Sequence, residues 1–345
     1  MNVLLHEALR LPQAHATWFA EDRPGDDSSV ATEPLTLGLL AAAVAVTIAV
    51  RLVARIRDGI TIAPLARLAP YMPFAVRIHL AVSLLGLLSL GSYLSPAMEL
   101  ERNVGGVLLG AMMAVVTVLM ATGWHTRVAA LLLLAAGPIG MLEYGFSPIL
   151  QRIDMVGLAL FVLIAGPGRW SAEYELGRAR DPERPQVARA IWCLRVATGV
   201  ALIVVAFVEK LLDPQLTLDI LADHPVLNVA DAIGLPISDL QYVRLTGVIE
   251  ILFGLLLISG ALPQLGVLII GVPFNATLFF FGSEELLGHL PVYGTMLVLL
   301  VYGSHRTLRP TVSDLWPWRS VDREPDPLRS PERARAGAGL AGGPG

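Results

Sequence analysis

The chain has 345 residues, is 54% hydrophobic and 16% charged, and has a mean hydropathy of +0.64, which excludes an ordinary soluble domain. A net charge of −4 provides none of the basic field that nucleic-acid binding needs. The single cysteine, Cys193, excludes an intrachain disulfide, a dithiol relay and a four-cysteine metal site. The apolar residues fall in long runs, each near the roughly 20 residues that cross a hydrocarbon core, and such runs must be helical because lipid offers their backbone no hydrogen-bond partner.

In chain order, residues 1–34 read as a flexible outer segment: Met1 to Ala20 lacks a basic leader, and 21–34 is acidic and rich in Pro, Gly and Ser. Nine spans are predicted, at 35–57, 74–95, 104–122, 126–144, 153–169, 190–212, 241–260, 264–281 and 289–304. An outside N-terminus puts 19 of the 25 basic residues on the inner side and six on the outer, which orients the chain as a multi-pass protein of a plasma membrane. Twenty-four Arg against one Lys point to high-GC coding and hence a bacterial source. Arg51 and Arg55 read as snorkelling to headgroups, 171–189 as an Arg-rich cytoplasmic linker, and 309–345 as a disordered cytoplasmic tail.

The two halves of the chain match. Gly110, Gly123, Gly145, Gly157, Gly166 and Arg169 recur 137 positions later as Gly247, Gly260, Gly282, Gly294, Gly303 and Arg306, while Phe74, Arg77 and Pro96 recur 118 positions later as Trp192, Arg195 and Pro214. The difference is an insertion in the outer loop 213–240. The expected architecture is therefore an all-α integral membrane protein: one extra helix (35–57), then two parallel four-helix units, 74–170 and 190–308.

Ionisable groups inside a bilayer are functional candidates by default. Glu250 falls about nine residues, or roughly 13 Å, inside its span and is flanked by Gly247 and Gly254 at i−3 and i+4. Glu209 and Lys210, adjacent at a span end, point about 100° apart, so one of them is expected to turn inward, with Lys210 able to reach Glu250 or an anionic ligand. Glu250, Lys210 and Glu209 are the catalytic candidates; Arg244, Asn275 and His289 join Glu250 and Lys210 as ligand-binding candidates. Glu143, Tyr144, Arg152, Asp154 and Tyr242 complete an outer polar vestibule. The first-unit counterparts of Glu209, Lys210 and Glu250 are Gly91, Ser92 and Met113, so any chemistry belongs to the second unit. Bis-histidine haem is excluded because His79 and His289 lie near opposite faces, and no metal-ligand motif is present.

Gly123-Trp-His-Thr-Arg127 and Gly166-Pro-Gly-Arg-Trp-Ser171, with Leu194-Arg-Val-Ala-Thr-Gly199, Glu209-Lys-Leu-Leu-Asp-Pro214 and Gly247-Val-Ile-Glu250 in the second unit, resemble the DoxX family of bacterial membrane proteins, in two copies over about 74–308. The resemblance implies a four-helix membrane bundle as the unit and links some members to a thiosulfate:quinone oxidoreductase or to thiol and oxidative-stress systems. Three functions stay open. The first is a membrane subunit of a redox complex, with a quinone near Glu250 and Lys210 and soluble or membrane redox proteins as partners. The others are a small-solute or lipid transporter and a non-catalytic scaffold.

Overall fold

The computed structural model describes residues 29–56 and 59–310, without the side chains of 232, 273–274 and 276–285. The expectations for residues 1–28 and for the tail beyond 310 lie outside the described residues. The described chain is all-helical: α1 (Pro34–Ala54), α2 (Met72–Ser89), α3 (Val104–Thr122), α4 (Thr126–Tyr144), α5 (Ile153–Ala165), α6 (Arg184–Ala206), α7 (Pro214–Asp223), α8 (Asp239–Ser259) and α9 (Pro263–Gly303). The linker is shorter than its expected 171–189, because α6 starts at Arg184 with a capping box between Glu183 and Gln186.

Seven helices among the described residues are long and apolar enough to cross a membrane; the apolar stretches Ile153–Ala165 and Pro263–Val272 are shorter. Helices thus stand at all nine expected stretches, and seven of them have full spanning length among the described residues. At 13 residues, α5 is only about 20 Å long, because Gly145 and the short helix Phe146–Leu150 interrupt the chain ahead of it. The spans expected at 264–281 and 289–304 are two legs of α9. A straight helix of 41 residues would separate its ends by about 60 Å, yet Gln264 Nε2 donates to Ser304 Oγ at 2.8 Å. The chain therefore doubles back between Val272 and Leu286, a stretch whose sequence includes Pro273 and Gly282, residue types at which helices bend.

The end of the molecule where α1 begins is termed upper, the other lower. Helices α2 to α5 form one bundle and α6, α8 and α9 a second, and they join where α5 packs on α6 and the second leg of α9 on α2. Both junctions need a glycine. A Cβ on Gly157 would stand 2.7 Å from the Ala197 side chain, and one on Gly294 would stand 3.2 Å from His79. Within the second bundle, α6 and α8 touch backbone to backbone at Gly199 and Gly254, where an added Cβ on either would come within 2.6 Å of the other's carbonyl oxygen. α1 lies outside both bundles against α8, largely exposed, with its lower end held by Ala54 on Ala261.

Buried arginines organise the lower end. Arg77, fully buried on α2, donates through Nη1 to the carbonyls of Met120 and Ala121 (2.7 Å to the latter), through Nη2 to Trp170 (2.9 Å) and through Nε to Pro167 (3.2 Å). Arg195 on α6, 2% exposed, donates through Nη1 to Leu257 (3.0 Å) and Ile258. Each guanidinium thus satisfies the terminal carbonyls of a neighbouring helix, α3 or α8, and sits at the negative end of its dipole. Both helices end in a left-handed glycine, Gly123 (φ 68°) or Gly260 (φ 71°), and the next helix starts after a left-handed residue, His125 or Leu262. Arg51, expected to snorkel, instead donates to the Ser259 carbonyl at 2.8 Å, because α1 lies close enough to α8 for its side chain to reach an orphan helix-end acceptor.

Gly199→Val should lower the thermal unfolding midpoint in detergent, at a cost of about 1–3 kcal/mol or more from forced separation of α6 and α8. Gly38→Val on the exposed face of α1, where a Cβ meets nothing within 4 Å, should leave that midpoint unchanged.

Candidate functional site

The second bundle breaks its helical pattern where its charge is concentrated. α6 does not stop at Ala206 but continues as a π-helix over Phe207–Leu212. The wider turn changes the direction of the side chains it carries, and such turns are frequent at functional sites. Here both members of the adjacent pair are turned in: Glu209 is 1% exposed and Lys210 is 12% exposed. Gly247 on α8 makes room for the lysine, since a Cβ there would stand 3.0 Å from Lys210 Cβ. The lysine stem runs over this bare backbone, and Nζ donates to Glu250 Oε2, one helical turn further along α8, at 2.9 Å.

Depth follows from counting along α8. Arg244 pairs with Glu33, the residue before α1, and Arg51 near the other end of α1 meets Ser259. Glu250 lies six residues from Arg244 and nine from Ser259, or about 9 and 13 Å at 1.5 Å per residue. The carboxylate is therefore near mid-span. It is 31% exposed on a helix whose neighbouring Ile249 is 47% exposed, so the pair opens toward the apolar outer surface of the bundle rather than being sealed inside it.

The upper side of the pair is strapped. Val30 N and Ser29 Oγ donate to the Leu211 carbonyl at 3.0 and 3.3 Å, and Thr217 Oγ1 on α7 donates to the Glu209 carbonyl at 2.9 Å. These bonds occupy carbonyls that the π-helix leaves at its end. Arg244, expected as a ligand group, is 7% exposed and bonds Glu33 at 2.5 Å, so it ties the entry of α1 to α8.

The other expected ligand residues do not join the pair. Asn275 is exposed and donates to the Gly271 carbonyl of its own helix at 2.6 Å. His289 is buried on the second leg of α9, at the junction of the bundles, next to Gly288, whose carbonyl faces Nη1 and Nη2 of Arg152 at 3.4 Å. Arg152 stands 3.8 Å from Asp154, and these two side chains are 6% and 2% exposed. Neither Asp154 carboxylate oxygen has a hydrogen-bond partner among the described residues. Sequence reading placed Asp154 in a vestibule near a span end; the structure buries it at 2% exposure. A buried hydroxyl pair, Thr198 Oγ1 and Thr295 Oγ1 at 3.1 Å, was also missed, since threonine carries no charge to mark it.

The glycine-rich motifs of the first unit serve the Arg77 clamp. Gly166, Gly168 and Trp170 all have left-handed backbones (φ 82°, 73° and 56°), which turns the Pro167 and Trp170 carbonyls toward the guanidinium. A side chain at Gly168 would meet Phe74 N at 2.6 Å, and one at Gly123 would meet Ser171 Cβ at 2.3 Å. Among the described residues no group of three or more His, Cys, Asp or Glu could hold a metal ion. The chemically competent arrangement is therefore a lysine–carboxylate pair at mid-span: a cationic donor, an anionic acceptor and a proton-exchanging group, open on one side to an apolar medium.

Lys210→Met should destabilise the protein by about 3–5 kcal/mol, because it strands the Glu250 carboxylate in a low-dielectric setting. The double variant Lys210→Met/Glu250→Leu should recover most of that loss, a non-additivity readable in equilibrium unfolding of the four proteins of the cycle. No protein-family model matches the chain, and no curated protein and no solved structure does either.

Proposed function

We propose that this chain is a DoxX-like protein of a bacterial plasma membrane, built from two tandem four-helix units, that serves as the membrane subunit of a quinone-linked or thiol/sulfur redox complex. The lower end is cytoplasmic in this reading, because Arg55, Arg67, Arg127, Arg178 and Arg180 gather there. The paired clamps of Arg77 and Arg195, 118 residues apart, on helix ends 137 residues apart support the tandem reading.

The observation that carries the functional reading is the Lys210–Glu250 pair, at mid-span and one-third open on the carboxylate side. A quinone diffusing in the bilayer carries two carbonyl oxygens and takes up two protons with two electrons on reduction. Lys210 is a charge-assisted donor for one carbonyl oxygen and its ammonium can supply one of the two protons, while Glu250, a carboxylate in this pair, takes up the other proton before passing it to the reduced quinone. The chain has one cysteine, Cys193, which is buried, so a soluble or membrane redox partner supplies the electrons. A transporter is the second reading, favoured by the buried Arg152–Asp154 pair at the junction between the bundles, where alternating access would move one bundle against the other.

Protein extracted in native-lipid particles should retain quinone that solvent extraction and chromatography detect in near-equimolar amount. Glu250→Gln and Lys210→Met should each lower occupancy about tenfold, the equivalent of one charge-assisted hydrogen bond. Equal and negligible quinone in all three proteins would remove the redox reading, while substrate accumulation by proteoliposomes that Asp154→Asn abolishes would establish the second.

A further inference from the structure

At the lower end the residues preceding α2, the linker into α6 and the end of α9 enclose a cleft of about 450 Å³, within the size range of small-ligand sites. Its floor is apolar and rigid: Ala69, Val187 and Tyr302 are 4%, 4% and 1% exposed. Its rim is charged. Arg67 is exposed and has no hydrogen-bond or ion-pair partner among the described residues. Asp181, the one acid on the rim, has its carboxylate gripped by Arg169, with Nη2 at 2.6 Å and Nε at 3.1 and 3.3 Å, so its charge is already compensated.

His305 is the third polar group of the rim. Burial, and then the positive charge of Arg184, hold its imidazole below the usual range, so it brings no negative charge to the rim. The cleft therefore combines a hydrophobic floor with a net positive rim, and it sits level with the ends of α6 and α9, where a bilayer places its headgroups. Basic pockets between membrane helices have this composition when they hold acidic lipid.

We propose that this cleft seats the phosphodiester headgroup of an anionic phospholipid, with Arg67 pairing the phosphate and the Ala69–Val187–Tyr302 floor covered by the glycerol and first acyl carbons. A free phosphate ester offers the same oxygens but leaves that floor bare, so the lipid is the better complement. The site lies at the opposite end of the molecule from the Lys210 strap and is independent of any redox chemistry there.

The test uses the full chain in phosphatidylcholine vesicles with spin-labelled phosphatidylglycerol, reading the motionally restricted fraction against spin-labelled phosphatidylcholine. The wild type should prefer phosphatidylglycerol, and Arg67→Gln should cut that preference roughly fivefold, as expected for one arginine near a charged bilayer. Arg127→Gln, at an exposed arginine of the same end that does not line the cleft, should leave it unchanged. Ala66→Phe, which fills the cleft without altering charge, should reduce it as strongly as Arg67→Gln. Equal effects of Arg67→Gln and Arg127→Gln would overturn the proposal, as would an unaltered preference in Ala66→Phe. Displacement of the bound label by excess glycerol phosphate would reassign the cleft to soluble phosphate esters and overturn the lipid assignment.

Discussion

A carbonyl at the end of a helix has no water to turn to when that end is buried in an apolar medium, and the fold is organised around two guanidinium groups that answer this need. Arg77 serves the end of α3 and the turn after α5, and Arg195 serves the end of α8. An ammonium could not replace Arg77: the planar fork of donors reaches carbonyls on separate segments at once, which a point charge on a flexible stem does poorly. Because each arginine is fully buried, its position dictates where the neighbouring helix must stop. The left-handed glycines Gly123 and Gly260 are the backbone's side of that arrangement.

With the lower ends fixed, glycines decide how closely the helices approach above them. Gly157 and Gly294 let the bundles meet, and Gly199 and Gly254 bring α6 onto α8. That last contact matters for the site. Once α6 and α8 are in backbone contact, the upper part of α6 runs alongside Gly247, and the π-helical turn delivers Lys210 onto it. The first bundle has no equivalent: Met113 on α3 is an ordinary buried side chain, and Gly91 and Ser92 lie in the loop after α2. Two bundles sharing one means of ending helices thus differ in chemistry. The first keeps the Arg152–Asp154 charge pair buried, while the second carries an ion pair one-third open on the carboxylate side, which is what the proposed redox role requires of it.

Some of this was legible in the residues alone. Glu250 could be placed near mid-span by counting, since helical rise is constant and hydropathy marks the ends. Lys210 as its partner was one of two options left open, because resolving them depended on a π-helix that adjacent Glu and Lys do not signal. Arg77 and Arg195 were counted as inner-side positive charges, and Arg51 as a snorkelling one, yet all three bond helix-end carbonyls. Charge counting along a chain sees that an arginine lies near a membrane face, but not whether its side chain points to the headgroups or into the protein. Asp154 was read as part of an outer vestibule for the converse reason: an acid near the start of a span looks solvated, yet its side chain is buried beside Arg152.

The sequence by itself determined the helical class, the apolar stretches, the glycines that end α3 and α8, and the depth of Glu250. All of these depend on composition and periodicity within about twenty consecutive residues. Only the tertiary structure decided that 263–303 folds back on itself, that Arg244 closes on Glu33 rather than on a ligand, that His289 stands at the bundle junction, and that Asn275 faces outward. Those outcomes depend on where helices cross. Crossing points are set by bare backbone meeting bare backbone between residues many tens of positions apart, a relation that no local pattern records.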